Sequence, residues 1–231
     1  PLWGEYRGHR IATNNPPGGG IMLLEMLNIL ENFDLAALGH NSADYIRTVA
    51  EAMKRGTVDK DTHVGDPAFF DVPVARLTDK GYAAEAAAAI RRGERTEVPR
   101  YGGGGPESVN TPHISVIDRD GNAVSMTHSL GMPSGVVTPG LGFMYNGCMG
   151  VFDPRPGHAD SLAPGKSRFS AICPSIVFKG EAPHLVIGAP GGTNINIGVC
   201  QVILNVIDFD MGITEAVVAP RFSVISNAID V

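Results

Sequence analysis

Apolar residues follow helical spacing over most of the first ninety positions, after one short alternating stretch. A strand is predicted over 6–12, ended by a loop rich in proline and glycine. Apolar side chains at helical spacing then predict a helix over 21–32. A second helix is expected from the cap sequence at 41–44 to about residue 60, and a third, rich in alanine, after Asp79.

The last third of the chain combines short strands with a long apolar helix. Strands are predicted over 175–179 and 184–188. The turn at 190–192 leads into a helix over 194–208, which is apolar nearly all round and is therefore expected to be buried. A short helix over 214–218 completes the pattern.

An alternating pattern on both sides of a turn predicts a β-hairpin in the middle of the chain. The residues Asp118-Arg119-Asp120-Gly121 are typical of a type I turn, with Asp first and Gly fourth. If Gly121 is the left-handed bulge residue, Asp118 pairs with Asn122.

That register separates a small-polar face from an apolar face, as a half-buried hairpin requires. It places Thr111 opposite Ser129 at the open end. A two-residue turn at Asp120-Gly121 would instead place Thr111 opposite Leu130, and we favour the first register.

Composition excludes several classes of protein. The 231 residues are 43% hydrophobic and 18% charged, which describes a globular chain long enough for a sizeable core. A net charge of −6 without a basic face argues against nucleic acid as a partner. No apolar run reaches the roughly 18 residues of a membrane span. The start, Pro1-Leu2-Trp3, is neither an initiator nor a signal peptide, which is compatible with an internal piece of a longer chain.

Most familiar chemical signatures are missing from the sequence. The three cysteines have no zinc or disulfide spacing and are interpreted as small buried hydrophobes. The glycines at 102–105 are interpreted as a linker, and the loop at 163–167 lacks the first glycine of a phosphate-binding loop. The turn at 190–192 permits a plain tight turn, a dinucleotide site or an oxyanion hole. No cofactor or metal site is therefore predicted.

Thr111 permits two interpretations. A threonine that opens a strand is commonly just a good β-former. If the Asn110–Thr111 bond is cleaved, however, the freed α-amino group, with an ordinary pKa of about 7.7–8.0, can act as general base for the threonine's own hydroxyl.

Short motifs along nearly the whole chain are shared with one enzyme family. Upstream they are Glu5-Tyr6-Arg7-Gly8, the Pro16-Pro17 loop, Leu27 to Glu31, Gly65-Asp66-Pro67 and Val72-Pro73-Val74. Downstream they are Thr111-x-His113-x-Ser115, Asp118 to Val124, Gly188-x-Pro190-Gly191-Gly192 and Ala219-Pro220-Arg221-Phe222. In these motifs the chain resembles the γ-glutamyltranspeptidases of the N-terminal-nucleophile hydrolase superfamily.

The resemblance implies an α+β fold, a four-layer αββα sandwich, of which this chain is expected to form only part. It implies a helical, large-subunit-like segment over 1–110 and a small-subunit-like catalytic segment over 111–231. The family's further segments, in the same or another chain, are expected partners.

The resemblance also implies roles for individual residues. It makes Asn110–Thr111 the bond of autocatalytic cleavage and Thr111 the nucleophile. Ser129 falls on the family's second, supporting threonine, and Gly191 and Gly192 fall on its oxyanion glycines.

The substrate-binding positions depart from the family pattern. Ser170 matches the first of two serines that hold the substrate's α-carboxylate, whereas Ala171 replaces the second. The family's Asn, Gln and Asp that hold the α-amino group correspond here to Gly131, Cys148 and Val151, none of which is a strong acceptor for an ammonium group.

Three functional hypotheses follow. The leading one is an N-terminal-threonine amide hydrolase or acyltransferase that acts on a small-molecule amide other than a γ-glutamyl peptide, with water or an amine as acceptor. The second is a true γ-glutamyl transferase or hydrolase. The third is an unprocessed, non-catalytic member that keeps the fold as a binding module.

Overall fold

The computed structural model describes residues 1–99 and 111–231, and Asn110 of the predicted cleavage bond lies outside these ranges. Eight strands are described: β1 (Leu2–Tyr6), β2 (His9–Thr13), β3 (His113–Ile117), β4 (Ala123–Thr127), β5 (Pro133–Val137), β6 (Met144–Asn146), β7 (Ser175–Lys179) and β8 (Ala182–Ile187). Seven α-helices are described: α1 (Gly20–Leu30), α2 (Leu35–Leu38), α3 (Ala43–His63), α4 (Val74–Leu77), α5 (Lys80–Arg91), α6 (Ile195–Ile207) and α7 (Ile213–Val218).

The central sheet is antiparallel, with the strand order β1-β2-β7-β8. It takes two strands from each side of residue 110, so both parts of the chain share one sheet and one core. The predicted division of the chain at residue 110 stays a prediction.

One face of this sheet is covered by helices. Every residue of α1 is buried, and this helix packs against α3, α5, α6 and β1. The side chains of Ser42 and Asp79 accept the backbone N–H of Tyr45 and Tyr82 and so cap α3 and α5 where the sequence predicted. The predicted burial of α6 is also confirmed.

Residues 9–12 of the first predicted strand lie in β2, but the prediction is wrong at its start, where the chain turns. Arg7 and Gly8 both have positive φ, at 50° and 75°, and Tyr6 pairs with His9. Arginine rarely adopts this conformation, so residue type gives no signal for the turn. The result is the β1–β2 hairpin.

The β3–β4 hairpin packs on the central sheet with its polar face. The hydroxyl of Ser125 donates to the carbonyl of Ile187 in β8 at 2.9 Å. The two-faced pattern is present as predicted, but the apolar face is the exposed one among the described residues. Its side chains are 48–53% exposed: Ile114, Val116, Val124 and Met126.

Helices, central sheet and hairpin thus form three successive layers of the predicted αββα sandwich. Within residues 1–99 and 111–231, no helix has the length and apolar character needed to cross a lipid bilayer.

Candidate active site

Thr111 and Ser129 are brought together at the open end of the β3–β4 hairpin. Thr111 is buried, with 8% of its surface exposed, and its hydroxyl donates to Ser129 Oγ at 2.8 Å. Ser129 Oγ also accepts the backbone N–H of Gly131 at 2.8 Å. Each hydroxyl has one donor and two acceptor positions, so the Thr111–Ser129 bond can run in either direction.

The turn of the hairpin sets this register. Asp118 N–H donates to the carbonyl of Asn122 at 3.0 Å, and Gly121 has a φ of 84°, as the three-residue loop requires. The pairs His113–Thr127 and Ser115–Ser125 confirm the predicted register.

His113 joins the hairpin to the loop after β8. Its Nδ1 lies 2.8 Å from Thr127 Oγ1, and its Nε2 lies 2.9 Å from Ser115 Oγ. The ring lies directly on Gly188, where a Cβ would be 2.3 Å from the ring carbon Cε1. Burial lowers the pKa of His113, which favours the neutral imidazole.

Gly191 and Gly192 lie in the loop that continues from Gly188 towards α6. Their φ angles are 130° and 56°, and Gly192 opens a single 3₁₀ turn that leads into the helix. The packing of His113 on Gly188 therefore links the loop that carries these glycines to the hairpin that carries Thr111.

A cavity of about 880 Å³ opens beside Ser129. Its walls come from the loops around β6 and the segment that precedes β7. The lining residues are Ser129, Asn146, Cys148, Met149, Phe152, Leu162, Ala163, Pro164, Gly165, Lys166, Ser167, Arg168 and Ser170.

Ser170 is held in the cavity wall by its backbone. Its N–H donates to the carbonyl of Pro17 at 2.8 Å, next to a β-bridge between Gly18 and Ser170. Ser170 and Ser129 therefore line one cavity. Ala171 follows Ser170 and is buried, with its carbonyl against Gly19.

Gly131 and Cys148 are also adjacent. A Cβ at Gly131 would lie 2.3 Å from Cys148 Sγ. Cys148 begins a 3₁₀ turn that ends at Val151, which is 44% exposed. Two of the three positions at which the resemblance implies ammonium-binding side chains are therefore neighbours, and Cys148 lines the cavity.

Arg168 was missed from the sequence. Its Nη2 lies 3.1 Å from Cys148 Sγ, and 3.6 Å from where a Cβ of Gly131 would be. A signal was available, because Arg168 stands two positions before Ser170, a predicted substrate-binding residue.

The described residues contain no group of three or more His, Cys, Asp or Glu side chains suited to a metal ion. All three cysteines are buried free thiols, as predicted, and burial raises the pKa of Cys173 and Cys200 well above the ordinary range.

Comparisons with known proteins agree with the motifs. A family model described as Gamma-glutamyltranspeptidase matches residues 1–231. The Acylase ACY 1 proenzyme of Pseudomonas sp. (strain V22) is 42% identical over 224 residues, which are 96% of this chain and 40% of that protein. The Glutathione hydrolase proenzyme of Escherichia coli (strain K12) is 38% identical over an alignment 238 residues long, and the match covers 96% of this chain and 41% of that protein.

A solved structure gives the same result for the fold. Cephalosporin acylase from Bacillus halodurans aligns with a TM-score of 0.81 at 31% identity, over 96% of this chain and 40% of that one. The similarity confirms the predicted αββα fold. The chain spans about two fifths of the length of the relatives it matches.

Proposed function

This chain belongs to the γ-glutamyltranspeptidase family, and from that premise we propose that it is the core of an N-terminal-threonine amide hydrolase or acyltransferase. In this proposal, cleavage of the Asn110–Thr111 bond matures a proenzyme, and the substrate is an amide other than a γ-glutamyl peptide. The observation that carries the proposal is the 2.8 Å bond between Thr111 Oγ1 and Ser129 Oγ beside the cavity.

The reaction begins with the new α-amino group of Thr111. In its neutral form, the amine accepts the hydroxyl proton while Oγ1 attacks the substrate carbonyl. Ser129 holds the nucleophile by a hydrogen bond and is itself oriented by the N–H of Gly131. Backbone N–H groups at Gly191 and Gly192 stabilise the oxyanion.

Collapse of the tetrahedral intermediate breaks the amide bond and leaves an ester on Thr111. The leaving amine takes the proton from the α-ammonium group. Water or a second amine then attacks the ester and gives its proton to the α-amino group. The bond between the acyl carbon and Thr111 Oγ1 breaks, Oγ1 takes that proton back, and the acyl product is released.

The substrate part of the proposal rests on the cavity. Gly131 has no side chain, and Cys148 and Val151 offer no carboxylate or amide oxygen to an ammonium group. Burying an ammonium group without such acceptors is costly. A γ-glutamyl group, which carries one, is therefore a poor fit.

Mass spectrometry of the full-length protein tests the cleavage and the nucleophile. We expect two fragments whose junction is Asn110–Thr111, and loss of amide hydrolysis in Thr111→Ala. Thr111→Ser keeps a hydroxyl and serves as the matched control, with partial activity. An intact Asn110–Thr111 bond together with unchanged hydrolysis in Thr111→Ala would refute the proposal, whereas an intact bond without any amide hydrolysis would identify a non-catalytic member.

A second candidate is γ-glutamyl transfer or hydrolysis, which the Escherichia coli glutathione hydrolase relative favours. Turnover of γ-glutamyl p-nitroanilide and of simple acyl p-nitroanilides by the processed enzyme separates the two. A strong preference for the γ-glutamyl compound supports the second candidate, and comparable or better turnover of the others supports the first.

The remaining family segments are proposed partners of this chain, in the same or a second polypeptide. The chain covers about two fifths of each matched relative, and the apolar face of the β3–β4 hairpin is exposed. We expect this face to be covered in the complete protein. Protection of these strands from hydrogen exchange in the full-length protein tests this expectation.

A further inference from the structure

The Gly65-Asp66-Pro67 motif forms a turn that contacts a wall of the cavity. Asp66 is buried, and the two oxygens of its carboxylate have different partners. Oδ1 accepts the N–H of Ala68, within the turn, at 3.0 Å. Oδ2 accepts the N–H of Ser167, 101 positions further along the chain, at 2.7 Å. One side chain therefore connects the turn to a residue that lines the cavity.

Gly65 allows the same turn to contact the wall at a second point. A Cβ at Gly65 would overlap the carbonyl oxygen of Ala159, so a residue with a side chain could not lie this close. That carbonyl also accepts the ammonium group of Lys166 at 2.8 Å. The contacts at Ala159 and Ser167 enclose most of the segment 162–168, every residue of which lines the cavity.

The environment of Asp66 favours its ionised form. The N–H groups of Ser167 and Ala68 lower the pKa of Asp66, and the nearby charge of Lys166 acts in the same direction. Hydrogen bonds to an ionised acceptor are shorter and stronger than those between neutral groups. The contact between Asp66 and Ser167 is therefore a strong one for its size.

The segment beyond Arg168 is held by other groups. Asp160 accepts the N–H of Phe169 at 2.8 Å. The ring of Phe169 is buried, and the ammonium group of Lys60 lies over it, 5.0 Å from the ring centroid. Loss of the Asp66 carboxylate should therefore loosen the wall up to Ser167 and leave the chain beyond it in place.

Asp66 and the wall lie on opposite sides of the predicted cleavage bond, Asn110–Thr111. The described residues that line the cavity all lie downstream of this bond. After cleavage, the hydrogen bond between Asp66 and Ser167 would join two fragments. The β3–β4 hairpin determines how Thr111 and Ser129 meet, so the nucleophile does not depend on this bond.

We propose that Asp66 is a positioning residue for substrate binding, which acts through Ser167 and holds residues 162–168 in the wall of the cavity. The inference rests on the proposed amide hydrolysis at Thr111, to which it adds a residue of the upstream segment. Asp66 touches no reacting atom, so its loss weakens the binding of substrate and transition state equally. Such a loss raises KM and leaves kcat unchanged.

Steady-state kinetics of the processed full-length enzyme test the proposal, with the acyl p-nitroanilide that the wild type turns over fastest. Asp66→Ala should raise KM about 10-fold, as for a hydrogen bond to a charged group, and change kcat by less than about twofold. Asp66→Asn keeps one acceptor oxygen for Ser167, because the exposed Ala68 can donate to water, and should recover part of the affinity.

Asp79→Ala is the matched control for the loss of a carboxylate that binds backbone. Asp79 accepts the N–H of Tyr82 at 2.8 Å at the start of α5. Its loss should lower the stability of the protein and leave KM unchanged.

Ser167→Pro removes the same hydrogen bond from its donor side, because proline has no N–H. Ser167 is exposed and lies outside the helices and strands, so this variant should fold. Ser167→Ala keeps the N–H and is its matched control. Relative to Ser167→Ala, KM should rise in Ser167→Pro by the same factor as in Asp66→Ala. Combining Asp66→Ala with Ser167→Pro should add no further increase, since both remove one interaction.

Labelling of Cys148 with iodoacetamide reports the position of the wall without any catalysis. Cys148 is 8% exposed, and its Sγ lies 3.1 Å from Nη2 of Arg168, whereas Cys173 and Cys200 are fully buried. We expect Cys148 to be labelled about 10-fold faster in Asp66→Ala, as measured by mass spectrometry of its peptide. Labelling of the other two cysteines should not change.

An unchanged KM in a folded Asp66→Ala variant overturns the proposal, and so does an equal KM in Ser167→Pro and Ser167→Ala. The same holds if Asp79→Ala raises KM as much as Asp66→Ala does. If Thr111→Ala leaves amide cleavage unchanged, the proposed function fails instead. In that case the labelling of Cys148 still decides whether Asp66 holds the wall.

Discussion

The hydroxyl oxygens of Thr111 and Ser129 lie 2.8 Å apart across the open end of the β3–β4 hairpin. Thr111 lies two residues before β3 and Ser129 two residues after β4, so the turn that joins these strands determines whether the two residues meet. A shift of register by one residue would place Thr111 opposite Leu130 and remove the contact. The geometry of the candidate nucleophile is therefore a property of the hairpin.

Ser129→Ala is expected to lower kcat for amide hydrolysis by about 10- to 100-fold, because the hydroxyl that holds Thr111 Oγ1 is lost. Ser129→Thr keeps the hydroxyl and should keep most of the activity. Steady-state kinetics of the processed enzyme measure both effects.

Ser125→Ala is the matched control for this substitution. Ser125 lies in β4, four residues before Ser129, and its hydroxyl donates to the carbonyl of Ile187 in the central sheet. We expect a small loss of stability and little change in kcat. A Ser129→Ala enzyme with normal kcat would show that the contact with Thr111 has no catalytic role.

Gly188→Ala is expected to destabilise the protein by about 1–3 kcal/mol, because the new methyl group would overlap the ring of His113. That ring is held by Thr127 and Ser115, so it cannot move without breaking hydrogen bonds. Urea unfolding of the full-length protein measures the change.

Gly198→Ala in α6 is the opposite case. A Cβ at Gly198 meets no neighbouring group within 4 Å, and the position is helical, so alanine should stabilise the protein by about 0.5–1 kcal/mol. Similar effects of the two alanines would refute the packing of His113 on Gly188.

Glu25 is expected to make the protein less stable as pH rises. The side chain is buried in the middle of α1, and desolvation, with a smaller effect of Asp59, raises its pKa well above 4.5. Because the pKa of Glu25 is higher in the folded state than in the unfolded state, its contribution to stability is complete below the unfolded-state pKa. That contribution is lost as the pH rises from the unfolded-state pKa towards the folded-state pKa. The loss is up to about 1.4 kcal/mol per pH unit in that window.

Glu25→Gln should flatten this part of the pH profile, as measured by urea unfolding from pH 4 upwards. Glu85→Gln, on the exposed face of α5, is the control and should leave the slope as in the wild type. A slope that survives in Glu25→Gln would assign the pH dependence to another group.

Asp118→Ala is expected to lower the melting temperature and kcat together, because this carboxylate holds the hairpin turn. It accepts the N–H groups of Asp120 and Asn122 at 2.9 Å and the side-chain amide of Asn122 at 2.8 Å. The hydrogen bonds from Asn122 lower the pKa of Asp118. Its contribution is therefore present above the unfolded pKa of 3.8 and is lost as pH falls through the folded value.

The difference in melting temperature between wild type and Asp118→Ala should accordingly shrink in acid. Asp120→Ala removes a neighbouring carboxylate that is 71% exposed, and it should change the melting temperature little. If Asp118→Ala lowers the melting temperature but leaves kcat intact, the turn does not control the register of Thr111 and Ser129.

Much of the fold could be predicted because its signals are local. Ser42 and Asp79 cap their helices with their own side chains, and Gly121 permits the left-handed residue of the hairpin loop. Such side chains form hydrogen bonds with backbone groups a few residues away, so the sequence alone is enough to predict them. The Thr111–Ser129 pairing could be predicted for the same reason.

Other features could not be predicted, because they depend on distant parts of the chain. Arg7 adopts a left-handed conformation without any signal in its residue type, and its guanidinium bonds to Asp208 at 3.1 Å, some two hundred positions away. The polar face of the β3–β4 hairpin packs on the central sheet, whereas hydrophobicity alone predicts that the apolar face packs there.

The candidate site likewise contains features that the sequence predicts and features that it does not. The turn residues and the alternating pattern were enough to predict that Ser129 lies beside Thr111, because the register of a hairpin is determined by residues close together in the chain. The contact of Arg168 with Cys148, and the packing of His113 on Gly188, join segments that only folding brings together. Such contacts depend on the shape of the assembled sheet and loops, so only the tertiary structure determines which of these side chains meet.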